Sequence, residues 1–303
     1  MRERVKAVAQ ELNYHPNVNA QGLISRRSYL IGLTYERPSP SYVVELQRGA
    51  LQRLAGERYR LIVLPFPNAA ADPDGLVSLL RTAALDGVVL APPSSDLLPV
   101  LDALDRADIA YARIAPHLDL DRGACASMDD QAAARSLAEH LIGLGHRQFA
   151  VILGDPTHYA SESRLKGYRE AFASAGIDFG QVRVEQGDFT YASGDGAMRR
   201  ILSGGRRPTA VLAQNDDMAV AALMAARDHG LDVPGDISIA GFDDSDVSRL
   251  TWPRLTTVRQ PVFEMAEVAT GGLLSILERE PHAAPAVLAH ELLIRQSTAP
   301  PRK

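Results

Sequence analysis

Cysteine is nearly absent: Cys125 is the one thiol in 303 residues. That excludes an internal disulfide framework and a cysteine-rich zinc site, and a reduced cytoplasm is the simplest location. Long apolar runs are missing as well. No stretch approaches the roughly 18 consecutive apolar residues of a membrane span. Arg-Glu-Arg follows Met1, and no apolar block of about 7–15 residues comes after it, so the first thirty residues do not read as a secretory leader. No membrane partner is expected.

The signatures of turnover are lacking too. There is no Gly-x-Ser-x-Gly elbow, no Gly-x-x-x-x-Gly-Lys-Ser/Thr phosphate loop and no His-Glu-x-x-His zinc motif. His140 and His146 stand six apart, off a common helical face, which argues against a metal pair. Asp243-Asp244 lacks a second element for acid–base work, and Cys125 with a distant histidine is no nucleophile signal. The chain reads as a binder and not an enzyme, with no cofactor and no metal.

What is present is ordinary in amount and uneven in placement. Hydrophobic residues are 46% and charged residues 23%, the balance of a soluble globular chain, and the length suits about two domains. Residues 1–28 carry five basic and two acidic side chains, net +3, and the remainder carries 27 and 35, net −8. A basic lead on an acidic body suits a DNA-contacting arm, or an ordinary solvated helix.

The body alternates short apolar runs with helical spacing. Strands are predicted at 29–35, 60–65, 87–91 and 110–114, with helices at 42–56, 76–84 and 97–105 between them. The pattern then restarts: helix 131–144, strand 149–153, helix 161–175 closed by Gly176, strand 182–185, helix 193–202, strand 210–213, helix 218–229 and strand 238–242. This is an α/β fold of two similar lobes divided near residues 129–133, each with buried parallel strands and crossover helices. Helix 262–277 and strand 291–296 follow both lobes and are expected to return to each in turn, so the chain crosses the hinge more than once.

Open α/β sheets bind ligands beyond the carboxyl ends of their strands, so strand-end residues are the candidates. They include Tyr42, Arg164, Phe189, Gln214-Asn215-Asp216-Asp217 and Asp243-Asp244. Arginine and carboxylate forks match paired hydroxyls, and aromatic rings pack against sugar C–H faces. Structural alternatives stay open for each. Asn215 and Asp216 would serve as helix caps, Asp243 and Asp244 as turn residues, Arg164 as a surface ion pair and Phe189 as core.

Several motifs recur in a fixed order: Arg4-Val5, Leu12-Asn13-Tyr14-His15-Pro16-Asn17, Ala20 and Leu23, Ile31-Gly32-Leu33, Leu144-Gly145-His146-Arg147, and Arg164-x-x-Gly167-Tyr168. After these come Gly187-Asp188-Phe189, Asn215-Asp216-x-Met218-Ala219, Gly241-Phe242-Asp243-Asp244, and Leu255-Thr256-Thr257-Val258-Arg259-Gln260-Pro261. Each is weak alone; together they resemble the lactose/galactose-repressor (LacI/GalR) family of bacterial transcription factors over essentially the whole chain. The resemblance implies a doubly wound, periplasmic-binding-protein-like core of two lobes, which dimerises, behind a helical DNA-binding headpiece.

On that resemblance, residues 1–27 hold the headpiece remnant and hinge helix. Residues 28–130 and 261–285 form the first lobe, and 131–260 and 286–303 the second. Arg2–Leu12 looks like the headpiece's third helix. The preceding helix-turn-helix, with its recognition helix, is missing from this sequence, so the chain as written is not expected to read an operator in the family's usual way. Pro16–Leu23 looks like the hinge helix, with Asn17, Ala20 and Leu23 toward DNA and Leu23 either a minor-groove wedge or a linker residue; Gly22 there disfavours helix. The effector site implied is Tyr42, Arg164, Phe189, Asn215, Asp243 and Gln260, with Asp129 a weaker member. A small sugar or sugar derivative is the implied effector, a purine the alternative, and operator DNA and a second copy of the chain are the implied partners. A sugar-transport solute-binding protein is the competing function.

Overall fold

The structure, a computed structural model, describes residues 27–36, 38–281 and 283–302. The basic lead and the hinge candidates Asn17, Ala20 and Leu23 lie outside the described residues.

Six parallel strands build the first sheet: β1 (Leu30–Tyr35), β2 (Arg60–Pro65), β3 (Gly87–Leu90), β4 (Ala110–Ile114), β5 (Ala124–Met128) and β11 (Ala286–Leu288), in the order β11-β5-β4-β3-β1-β2. The strands are mainly apolar because both faces are covered, with Thr34, Arg113 and Ser127 buried among them. In β3, Val88 and Leu90 meet Leu76, Leu80, Leu101 and Leu104 from α2 (Pro73–Thr82) and α3 (Leu98–Arg106). On the other face Val89, Ile31 and Leu33 pack with Leu46, Met265 and Leu273 from α1 (Pro40–Leu54) and α9 (Val262–Glu278). Each such side chain contributes about 1.5–3 kcal/mol when fully buried.

The second sheet, order β7-β6-β8-β9, is also parallel, with β6 (Phe149–Leu153), β7 (Arg183–Gln186), β8 (Ala210–Ala213) and β9 (Ser238–Ala240). One face is covered by α4 (Asp130–Gly143) and α5 (Tyr159–Ser174), the other by α6 (Tyr191–Ser203) and α7 (Asp216–Asp228). A short helix α8 (Asp246–Leu250) follows β9. Then β10 (Thr257–Arg259) pairs antiparallel with β12 (Glu291–Leu293), while Thr256 just before it bridges to Ala240 and Arg259 within it to Asp243, beside the second sheet.

The chain crosses between lobes three times, after β5, between β10 and α9, and between β11 and β12. One boundary differs from the sequence reading. Residues 286–288, assigned there to the second lobe, add β11 to the first sheet beside β5, with Val287 opposite Ser127. The segment is three residues long and edge-exposed, so it carries no periodicity to place it. β5 and β10 were not predicted either. Ala-Cys-Ala-Ser-Met and Thr-Val-Arg are too short and mixed to stand out as strands.

Both sheets reverse strand order at their first strand: β2 and β3 flank β1, and β7 and β8 flank β6. Ligands bind at such switch points, and here the two face each other across the cleft.

Candidate functional site

The loops after β1, β3 and β4 meet those after β6 and β8 around a cleft of about 700 Å³ counting its open mouth. Tyr42, Arg164, Phe189, Asn215, Asp243 and Gln260 all line it.

Arg164 is no surface ion pair. It is buried in the second turn of α5, where Nε donates to Asp130 Oδ1 at 2.8 Å and Nη1 to the Gln214 carbonyl at 2.6 Å. Its guanidinium lies 3.8 Å from the Phe242 ring centroid. Burial opposes the charge, but Asp130 and Asp243 hold its pKa above the ordinary value. The pairing depends on how closely α5 approaches α4. Gly167, one turn after Arg164, sits so near α4 that a Cβ there would lie 2.1 Å from the Gln131 carbonyl oxygen. That is the physical content of the Arg-x-x-Gly spacing.

Asp129 does not line the cleft. It is exposed and caps α4, accepting from the Ala132 backbone N–H at 2.9 Å. The cleft carboxylate is its neighbour Asp130, the first helical residue and buried. Burial would raise its pKa, yet Arg164 and His117 hold it below the ordinary carboxylate value. The extended backbone of a cap sends its side chain back over the helix terminus, so a one-residue shift decides which aspartate faces the ligand.

Asn215 is both cap and cleft residue. Its Oδ1 accepts from Met218 N at 3.0 Å and its Nδ2 donates to the Phe189 carbonyl at 2.9 Å, fixing the loop that carries the ring. Phe189 is half-buried, packed edge-on to His158 with centroids 5.3 Å apart. Its φ is +70°, a left-handed conformation that costs a non-glycine residue energy and clusters at functional sites. The ring lies over Gly154, where a Cβ would come within 2.1 Å of it.

Asp243, φ +123°, accepts from Gln260 Nε2 at 2.5 Å. Asp216 is no cap; it is buried at the start of α7 and accepts from Ser245 N at 2.8 Å and Thr257 Oγ1 at 2.7 Å. Burial pushes both carboxyls upward, and each aspartate's pKa is further raised by a neighbouring aspartate. Asp244 is more than a turn residue. It accepts from Arg249 at 2.7 Å, Arg259 at 2.9 Å and Arg295, tying α8, β10 and the segment after β12 together. Those arginines outweigh burial and lower its pKa.

Sequence reasoning passed over Asp96, His117, Asp130, His158 and Tyr159, which also line the cleft. His117 had a usable signal, since it lies three residues beyond the end of β4, and strand ends were the search rule. Its Nδ1 is 3.3 Å from Asp96 Oδ2, and its ring stacks on Tyr159 with centroids 4.4 Å apart. Against burial, Asp130 and Asp96 raise its pKa to about 9. Among the described residues no His/Cys/Asp/Glu cluster could hold a metal, and no helix is long and apolar enough to cross a membrane.

A family model described as a periplasmic binding protein-like domain matches residues 138–298. The chain is 31% identical to the HTH-type transcriptional regulator DegA of Bacillus subtilis (strain 168) over 306 residues, 99% of this chain and 89% of that protein. It is 32% identical to the HTH-type transcriptional regulator GalR of Escherichia coli (strain K12) over 281 residues, 91% and 80% respectively. Among solved structures, a transcriptional regulator CelR–cellobiose complex matches with a TM-score of 0.80 at 29% identity, covering 98% of this chain and 90% of that one. These relatives are regulators of transcription and not enzymes. With its two doubly wound lobes and its motif order, this chain belongs to the LacI/GalR family of transcriptional regulators.

Proposed function

We propose that the chain is a cytoplasmic, homodimeric repressor of carbohydrate-utilisation genes whose cleft binds a small sugar-like effector, and that binding changes operator affinity. The observation carrying this is the convergence of Arg164, Asn215 and Asp243 from the second lobe with Tyr42 from the first, and Gln260 at the crossover between them. They surround a ligand with fork-shaped polar groups and aromatic walls. A related regulator is seen with cellobiose, which supports the ligand class. An effector that binds one lobe arrangement more tightly than the other shifts the population between them. Operator contact is assigned to the N-terminal segment by resemblance, and to Asn17, Ala20 and Leu23 within it.

For the dimer, exposed Val44 and Leu51 on α1, Leu250 at the end of α8 and Trp252 just after it offer apolar surface to a second copy. Light scattering should give about 65 kDa, twice 32.7 kDa; a strict monomer would oppose the repressor reading.

The effector is tested by a thermal-shift screen against mono- and disaccharides, sugar phosphates and purines, with Arg164→Ala and Asp243→Asn alongside. A ligand at about 100 times its Kd stabilises the fold by about 2.7 kcal/mol. A sugar hit lost in both variants supports the reading. A purine hit replaces the ligand class, and silence across the panel refutes it.

A further inference from the structure

Two cations face the cleft, and both are already engaged. Arg164 gives Nε to Asp130 and Nη1 to the Gln214 carbonyl. His117 stands between two carboxylates, with Nδ1 3.3 Å from Asp96 Oδ2 and Nε2 3.6 Å from Asp130 Oδ2. A neutral imidazole has one N–H and would turn a lone pair toward one carboxylate; the imidazolium presents a hydrogen to both. The ring is held in place from below. Asp96 Oδ1 accepts from the backbone N–H groups of His117 at 2.7 Å and Leu118 at 3.1 Å. Buried Arg113 ties the same loop through the carbonyls of Ser95, Leu118 and Asp119 at 2.6–2.7 Å.

The third carboxylate, Asp243, is held by the Gln260 amide. Asp96, Asp130 and Asp243 therefore face Arg164 and His117, with buried Arg113 behind them 3.4 Å from Asp96, so three carboxylates meet three cations and the cleft holds no surplus positive charge. His158 adds none, because burial lowers its pKa.

The 3.6 Å gap between His117 Nε2 and Asp130 Oδ2 is too long for a direct hydrogen bond. Among the described groups this Nε2 is buried without a hydrogen-bond partner. A hydroxyl placed there accepts from Nε2 and donates to Asp130. A phosphate or carboxylate oxygen at the same point only accepts, and sets like charges together in a buried site.

We propose that the cleft takes an uncharged polyhydroxy effector and excludes phosphorylated and carboxylated forms of the same sugar, with His117, already neutralised between Asp96 and Asp130, as the specificity-determining residue of the first lobe. The proposal rests on the sugar-effector reading and narrows it.

The test is calorimetric titration of the full chain at pH 7.5 with glucose, galactose, ribose and cellobiose, then with phosphate esters of the three monosaccharides and with glucuronate and galacturonate. At least one neutral sugar is expected to bind, and its charged counterpart at least 100-fold more weakly. In Asp130→Asn, checked for folding by circular dichroism, Arg164 and His117 are released and that ratio is expected to narrow. A phosphate ester or uronate binding within tenfold of the neutral sugar in the unaltered chain would overturn the charge exclusion and leave the sugar reading intact. Binding of no sugar in any form would overturn both.

Discussion

Arg164 and Asp130 are each other's principal charge compensation. Both are buried, and the guanidinium Nε lies 2.8 Å from the carboxylate. Removing one partner leaves a buried charge unpaired, which costs about 3–5 kcal/mol, whereas replacing both with apolar groups is often neutral. Arg164→Ala is therefore expected to lose several kcal/mol in urea denaturation. The pair Arg164→Met with Asp130→Leu should recover most of that loss and still fail to bind effector. If the double variant is no more stable than the single one, the pair is not the source of the cost.

Adjacent aspartates should separate cap from site. Asp129→Ala removes a helix cap and is expected to cost about 1 kcal/mol, with effector affinity unchanged. Asp130→Asn is expected to weaken effector binding at least tenfold. Matched titrations of the two variants check this, and equal effects on affinity would contradict the assignment.

His117 sets a pH dependence of stability. Its pKa is raised in the folded chain to about 9, from an unfolded value of about 6.5. A raised value means that the folded state holds a proton the unfolded chain releases. The stabilisation is thus complete below about pH 6.5 and is lost as pH rises through about 9. Calorimetric Tm should decline across this window, and the decline should be shallower in His117→Gln. Asp243, its carboxyl pushed up to about 7 by burial, acts in the same direction in a lower window, and Asp216, also raised by burial, acts in the same direction. Identical profiles for the unaltered chain and the variant would remove His117 as the cause.

Gly154 leaves room for the Phe189 ring. Gly154→Val is expected to displace the ring and weaken effector binding more than tenfold, since a Cβ there overlaps the ring. Unchanged affinity, with the ring at its old position in a crystal structure of the variant, would show that β6 yields instead.

Much of this fold was legible because buried parallel strands are written as short, mainly apolar runs: Arg60–Pro65, Ala110–Ile114, Phe149–Leu153 and Ala210–Ala213 have the same limits in sequence and structure. The strands that escaped notice, β5, β10 and β11, are short and lie where the chain changes lobes, so pairing partners and not local pattern define them. The site behaved similarly. Phe189, Asn215 and Asp243 follow strands directly and Arg164 lies early in the helix after β6, so all four were visible, whereas Asp129 was chosen over Asp130 because cap geometry has no signature at single-residue precision. His117 was invisible as a charged group because its protonation arises from Asp96 and Asp130, which are 21 and 13 positions away and meet only after folding.

The three crossings between lobes set what kind of message the protein can send. Three short straps side by side act like the knuckles of a door hinge: they leave swinging free and resist sliding and twisting. On the effector reading proposed above, a ligand in the cleft would be reported outside as one angle, the same whichever of its groups is gripped. The straps also make each lobe discontinuous in sequence, since residues after 260 complete both. Neither half can be cut out as a working piece, and a truncation that removes β12 would slacken the hinge and unravel the edge of the second lobe in the same stroke.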